Sequence, residues 1–83
     1  MIITKEILIE KDACNAGLEW FSRKYGEDAK VDHKTILDDL SIDKLNYGEW
    51  LLKNFELSGI YRHWDDIGQL IQQYRFVDGK IID

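Results

Sequence analysis

The side chains best suited to chemistry in this 83-residue sequence are one cysteine, Cys14, and two histidines, His33 and His63. A thiol beside an imidazole makes a nucleophile–base pair when the fold brings the two together. No local cysteine-protease signature surrounds Cys14, and its spacing to Leu18, Phe21 and Tyr25 reads instead as a small hydrophobe on a buried helical stripe. Carboxylates are more plentiful. Asp38/Asp39 and Asp65/Asp66 are adjacent pairs that could act as general acid and base, or offer hard oxygens to Mg²⁺ or Ca²⁺. Neighbouring residues on a helix point about 100° apart, so such a pair rarely converges on one ion. Asp65/Asp66 read better as turn residues. One cysteine and two histidines do not complete a normal structural zinc site, and one cysteine makes no internal disulfide. The expectation is a protein that is not an enzyme, with no catalytic residue, no metal and no cofactor.

Charge points to binding. Sixteen acids against eleven bases give a net −5. That sign disfavours phosphate neutralisation, hence direct nucleic-acid binding, and disfavours docking on an anionic membrane. It favours a protein partner with a basic surface, or simple solubility. The acids are clustered. Residues 27–49 hold Glu27, Asp28, Asp32, Asp38, Asp39, Asp43 and Glu49 against three lysines, Lys30, Lys34 and Lys44. A solvated helical face accounts for this window. So does a ridge of carboxylates presented to a basic protein, which speeds association by steering. Arg62, Arg75 and Lys80 gather in the C-terminal part, but three bases are few for an RNA or DNA surface. Trp20, Trp50, Tyr61, Trp64 and Tyr74 are expected in the core, except where one or two stand exposed as interface anchors; residues on the solvent face of the hairpin, Tyr61 or His63, are the candidate partner anchors.

The elements that must position these residues follow from periodicity and breakers. The length predicts a single domain over residues 1–83, and 45% hydrophobic with 12% aromatic residues disfavours disorder. There is no proline, so glycines and caps mark every boundary. Residues 2–11 fit a strand or, with Thr4 as N-cap, a short helix, and the helix is preferred. Asp12 then caps a helix over 12–25 that stops at Gly26. Residues 27–32 read as a polar loop. Asp32 caps a short helix over about 33–40, and Ser41 or Asp43 caps a longer one through Phe55. After Ser58-Gly59 the pattern changes to strands at 59–64 and 70–77, joined by a turn at 65–68. Asp78-Gly79 is a strong hairpin signal, with residues 80–83 returning. The expected fold class is α+β: a helical part over 1–57, with three to four helices, and a C-terminal β-hairpin or three-stranded antiparallel meander over 58–83. No apolar run is long enough for a membrane span, and Met1 leads into a charged amphipathic stretch rather than a signal peptide. The expected location is the cytoplasm of a bacterial host cell.

Two stretches carry resemblances. Ala13-Cys14-Asn15-Ala16-Gly17-Leu18-Glu19-Trp20-Phe21, with Gly48-Glu49-Trp50-Leu51-Leu52, resembles an Ala-Cys-x-x-Gly-Leu-x-Trp-Phe and Trp-Leu-Leu pattern of small helical proteins of phages and prophages. It covers roughly residues 3–55, and that group has no established activity. Gly59-Ile60-Tyr61-Arg62-His63-Trp64, Gly68-Gln69-Leu70, Tyr74 and Asp78-Gly79-Lys80 resemble one MORN-variant repeat of bacterial antitoxin-like proteins, over about residues 59–83. Ile67 departs from the asparagine usual before that glycine, and a lone unit must pack on something other than further repeats. Together the resemblances imply a small phage- or mobile-element-type protein that inhibits or masks a partner protein, as an anti-CRISPR or an antitoxin does. Two alternatives remain: an assembly module, such as a homodimer, pairing through the open hairpin edge at 80–83, and a thiol-dependent enzyme acting through Cys14.

Overall fold

A computed structural model describes residues 1–82; Asp83, the last residue of the expected returning strand, lies outside the described residues. The architecture is α+β, and the chain forms two compact units, Met1–His33 and Lys34–Asp83. In the first unit β1 (Ile2–Ile3) pairs antiparallel with β2 (Val31–Asp32), so the segment expected to be a loop contributes a short strand. Both alternatives for the N-terminus are realised in succession. Ile2 and Ile3 are strand, and Thr4 then caps α1 (Lys5–Glu10) by accepting from the Ile7 amide at 3.2 Å. The helix α2 (Asn15–Tyr25) presents Trp20 and Phe21 inward, and the Tyr25 ring meets both edge-to-face. Gly26, at φ 101°, ends it.

The second unit comprises α3 (His33–Ile42, from Lys34), α4 (Gly48–Asn54) and a sheet of β3 (Gly59–Trp64), β4 (Leu70–Val77) and β5 (Lys80–Ile81) in that order. Composition changes near residue 57, yet α3 and α4 belong to one compact unit with the sheet. Glycines permit their close approach. A Cβ on Gly59 would stand 2.8 Å from a Leu37 methyl and 3.4 Å from one of Leu52. One on Gly48 would stand 3.0 Å from the Tyr61 ring. Ile36, Leu37, Leu40, Leu51, Leu52, Tyr61 and Phe76 are the buried side chains here.

Three helices end in the same way, and this corrects two expected boundaries. Asp12, Lys44 and Glu56 all adopt left-handed backbone, at φ 60°, 56° and 52°. After α1, the Asp12 amide bonds to the Ile9 carbonyl and the Ala13 amide to that of Leu8. After α3, Lys44 bonds to Ser41 and Leu45 to Leu40; after α4, Glu56 bonds to Lys53 and Leu57 to Leu52. This paired pattern is the Schellman stop, most often built on glycine. Asp12 therefore closes α1 instead of capping α2, whose N-cap is Cys14. Lys44 divides the expected long helix, so neither Ser41 nor Asp43 starts it. The helix α4 begins after Tyr47, without a side-chain cap.

Gly79 is constrained from both sides: its φ is 82°, and a Cβ there would stand 2.8 Å from the Glu56 Cα. Gly79→Ala should lower stability by about 2 kcal/mol or more, since backbone must move and a left-handed residue gains a side chain. Glu56→Gly should raise stability by about 0.5–1 kcal/mol, because it removes the left-handed penalty at a helix stop. Urea-unfolding midpoints of the two variants, moving in opposite directions, check both.

Candidate functional site

The C-terminal sheet is pinned at three points. Asn46, on the segment between α3 and α4, binds the end of β3 as a neighbouring strand would. Its Nδ2 donates to the Trp64 carbonyl and its Oδ1 accepts from the Trp64 amide, each at 2.8 Å. Asp65 holds the following turn, its Oδ1 accepting from the amides of Ile67 at 3.0 Å and Gln69 at 2.8 Å. Asp65 is thus the turn residue expected, with its carboxylate already occupied. At the far end, Asp78 and Gly79 form the hairpin turn with φ of 50° and 82°. Ser58 Oγ accepts from the Asp78 amide at 3.1 Å, and the Leu57 carbonyl accepts from Gly79 at 3.0 Å.

Between these points β4 lies open. A central strand is ordinarily the most covered in its sheet, yet of its eight residues only Phe76 is buried. Leu70, Ile71 and Val77 are 48%, 57% and 40% exposed. Six of the ten exposed large hydrophobics among the described residues fall between Ile67 and Ile82. The register gives the faces, because directly opposed residues share one. Tyr61↔Tyr74 and Gly59↔Phe76 lie on one face. Ile60↔Arg75, Arg62↔Gln73 and Val77↔Lys80 lie on the other. Ile71 is the extra residue where the register shifts beside His63 and Trp64.

The first face carries a polar aromatic cluster. The Tyr61 and Tyr74 rings stack at 5.9 Å with 10° between planes. The Tyr61 hydroxyl lies 2.6 Å from His63 Nδ1, and the Tyr74 hydroxyl donates to Gln72 Oε1 at 3.0 Å. Burial, then the Glu49 carboxylate and Tyr74, pushes the Tyr61 phenol above its ordinary range. The hydroxyl either donates to a bare Nδ1 or accepts from an Nδ1–H, so the bond fits either imidazole tautomer. Tyr61 is buried and His63 half-buried, so of the two expected anchors only His63 presents accessible surface. Trp20 is buried as well, while Trp50, Trp64 and Tyr74 are half-buried.

The seven clustered acids are divided. Glu27, Asp28 and Asp32 belong to the first unit, and Asp38, Asp39, Asp43 and Glu49 to the second. Several are engaged within the chain. Glu27 accepts from Lys5 Nζ at 2.7 Å, and that hydrogen bond and charge hold its carboxyl below the usual range. Asp32 lies 3.7 Å from the N-terminal ammonium, and Glu49 lies 3.6 Å from Lys53 Nζ. Asp38 and Asp43 are exposed, and Asp39 is half-buried.

Cys14 is exposed rather than part of a buried stripe. As the N-cap of α2 it faces out of the first turn, and its Sγ accepts from the Gly17 amide at 3.4 Å. His33 is buried, its Nδ1 accepting from the N-terminal ammonium at 2.8 Å. Among the described residues no three His, Cys, Asp or Glu side chains group to hold a metal ion, and no helix is long and apolar enough to cross a membrane. The openness of β4 is the site feature that sequence reasoning missed. Its signal was present in Leu70, Ile71 and Val77, apolar residues on both faces of one strand.

No family model, no curated protein and no solved structure matches this chain.

The raised Tyr61 group has a pH signature. A phenol whose folded value exceeds its unfolded value contributes stability below about pH 10, which is lost as pH climbs through the folded value. Ultraviolet titration of the native protein should show a late step, from a tyrosine ionising above the ordinary phenol range. Tyr61→Phe should abolish the late step and flatten the alkaline fall in stability.

Proposed function

We propose that this protein is a non-catalytic binding protein that covers and masks a partner protein, with the C-terminal sheet as the contact surface. The observation that carries this reading is the exposed strand β4, whose Leu70, Ile71 and Val77 stand in water; β3 pairs with it from Leu70 to Phe76, and β5 at Phe76 and Val77. Leu70 and Ile71 stand exposed at one end of the strand and Val77, Ile81 and Ile82 at the other, and exposed apolar surface of this kind marks interaction sites. The pinned ends keep the sheet in one shape, which reduces the ordering cost of association. Asp38, Asp39 and Asp43, on α3 and immediately after it, supply the charge that steers a basic region of the same partner. The resemblances to phage proteins and to a MORN-variant antitoxin repeat support an inhibitor of phage or mobile-element type, an anti-CRISPR or antitoxin-like protein working in a bacterial cytoplasm.

A second reading, assembly of copies of this chain, is favoured by one observation. β5 is an edge strand bearing Ile81, 44% exposed, and it has no neighbour on its outer side among the described residues. Light scattering that gives a monomer at high concentration removes it.

Masking is tested by capture from bacterial lysate, comparing the native chain with Ile71→Asp/Val77→Asp. Both positions are exposed, so the circular dichroism spectrum should be unchanged, while partner retention falls about tenfold or more. Retention equal to that of the native chain would contradict the proposed surface. Reversing Asp38, Asp39 and Asp43 to lysine should slow association about tenfold and flatten its dependence on salt. An unchanged salt slope would remove the steering role.

A further inference from the structure

The outer face of the sheet has a composition opposite to that of the molecule. Its register positions include Ile60, Arg62 and Trp64 on β3, Arg75 and Val77 on β4, and Lys80 and Ile82 at β5. Ile82 belongs there because it follows Lys80 by two residues and its amide bonds to the Arg75 carbonyl at 3.0 Å. Three bases stand on this face and no acid does, in a chain of net charge −5. Arg62 donates to Gln73 Oε1 at 3.2 Å and Ser41 Oγ at 3.1 Å, both uncharged, so its charge is positioned and not neutralised. Arg75 and Lys80 are exposed, and among the described residues neither has an ion-pair partner. Branched apolar side chains alternate with the bases: Ile60 lies directly opposite Arg75, and Val77 directly opposite Lys80.

We infer that this face docks an acidic, apolar segment of a partner protein, whose carboxylates meet Arg62, Arg75 and Lys80 while its aliphatic side chains cover Val77 and Ile82. The inference rests on the sheet being the contact surface proposed above and adds the chemistry of its occupant. Charge decides among the occupants. Two copies packed through this face about a twofold axis would set bases against bases, which is repulsive at an interface. A nucleic-acid strand would find few phosphate contacts and one half-buried ring to stack on, Trp64, which Lys44 already covers, since Tyr61, Tyr74 and His63 lie on the opposite face. An acidic segment satisfies the bases and covers the aliphatic groups at once.

The test is a titration of the isotopically labelled full chain, followed by amide NMR, with a synthetic peptide of alternating valine and glutamate. Shifts should concentrate on residues 60–62 and 73–82, and Arg75→Glu/Lys80→Glu should weaken binding about tenfold. The mirror peptide of valine and lysine should prefer that variant. Equal response to the two peptides, shifts elsewhere or no shifts would overturn the inference. So would tighter binding of a single-stranded oligonucleotide or phosphatidylglycerol vesicles at the same residues, or self-association through them. The double variant, run in the lysate capture, separates this failure from that of the proposed function. If Ile71→Asp/Val77→Asp loses the partner while Arg75→Glu/Lys80→Glu keeps it, masking stands and the acidic occupant falls.

Discussion

The free edge of β3 is where the second unit is held together. The Asn46 amide closes one end of that edge as a strand would, and Leu37 and Leu52 approach the other end across Gly59. The strand is thereby gripped from its side rather than from one face. Tyr61 is buried on one surface, while Ile60 and Arg62 are half-buried on the other. An edge strand usually needs protection from stray pairing, and here the helical segments provide it. Phe76 is the one buried residue of β4, so the central strand stays in water along most of its length.

Much of the sheet was legible in the sequence. Gly59–Trp64, the turn at Asp65, the strand ending at Val77 and the Asp78-Gly79 hairpin all follow from β-propensity and turn chemistry, which are local. The helix boundaries were less legible, and the reason is physical. In a chain without proline, glycine is the expected helix stop, but Asp12, Lys44 and Glu56 take the left-handed position. A non-glycine residue accepts that conformation when the carbonyls behind it gain partners, and this depends on packing. Cys14 moved from a buried stripe to an exposed cap for the same reason: once Asp12 closes α1, α2 starts later.

The binding surface was half legible. Tyr61 and His63 were identified by residue type, yet Tyr61 is a core residue whose hydroxyl is satisfied by His63. Periodicity placed Ile71 and Val77 on the face opposite Tyr74, but it cannot say whether anything covers that face. The acids cluster in sequence but divide between two compact units, and Glu27 and Glu49 are paired with lysines of their own chain. A more specific electrostatic feature is the sheet's outer face, where pleat and register gather Arg62, Arg75 and Lys80. Acidic and basic patches on one small unit restrict a partner to one that presents both signs.

The account depends on the central strand being open to water in the free protein. Solvent paramagnetic relaxation of methyl signals, measured with a soluble gadolinium chelate, reads this directly. The account predicts strong broadening of the Ile71, Val77 and Ile82 methyls, with Leu52 and Ile36 protected as core residues. Ile71 and Val77 methyls as protected as those of Leu52 in the free monomer would contradict it.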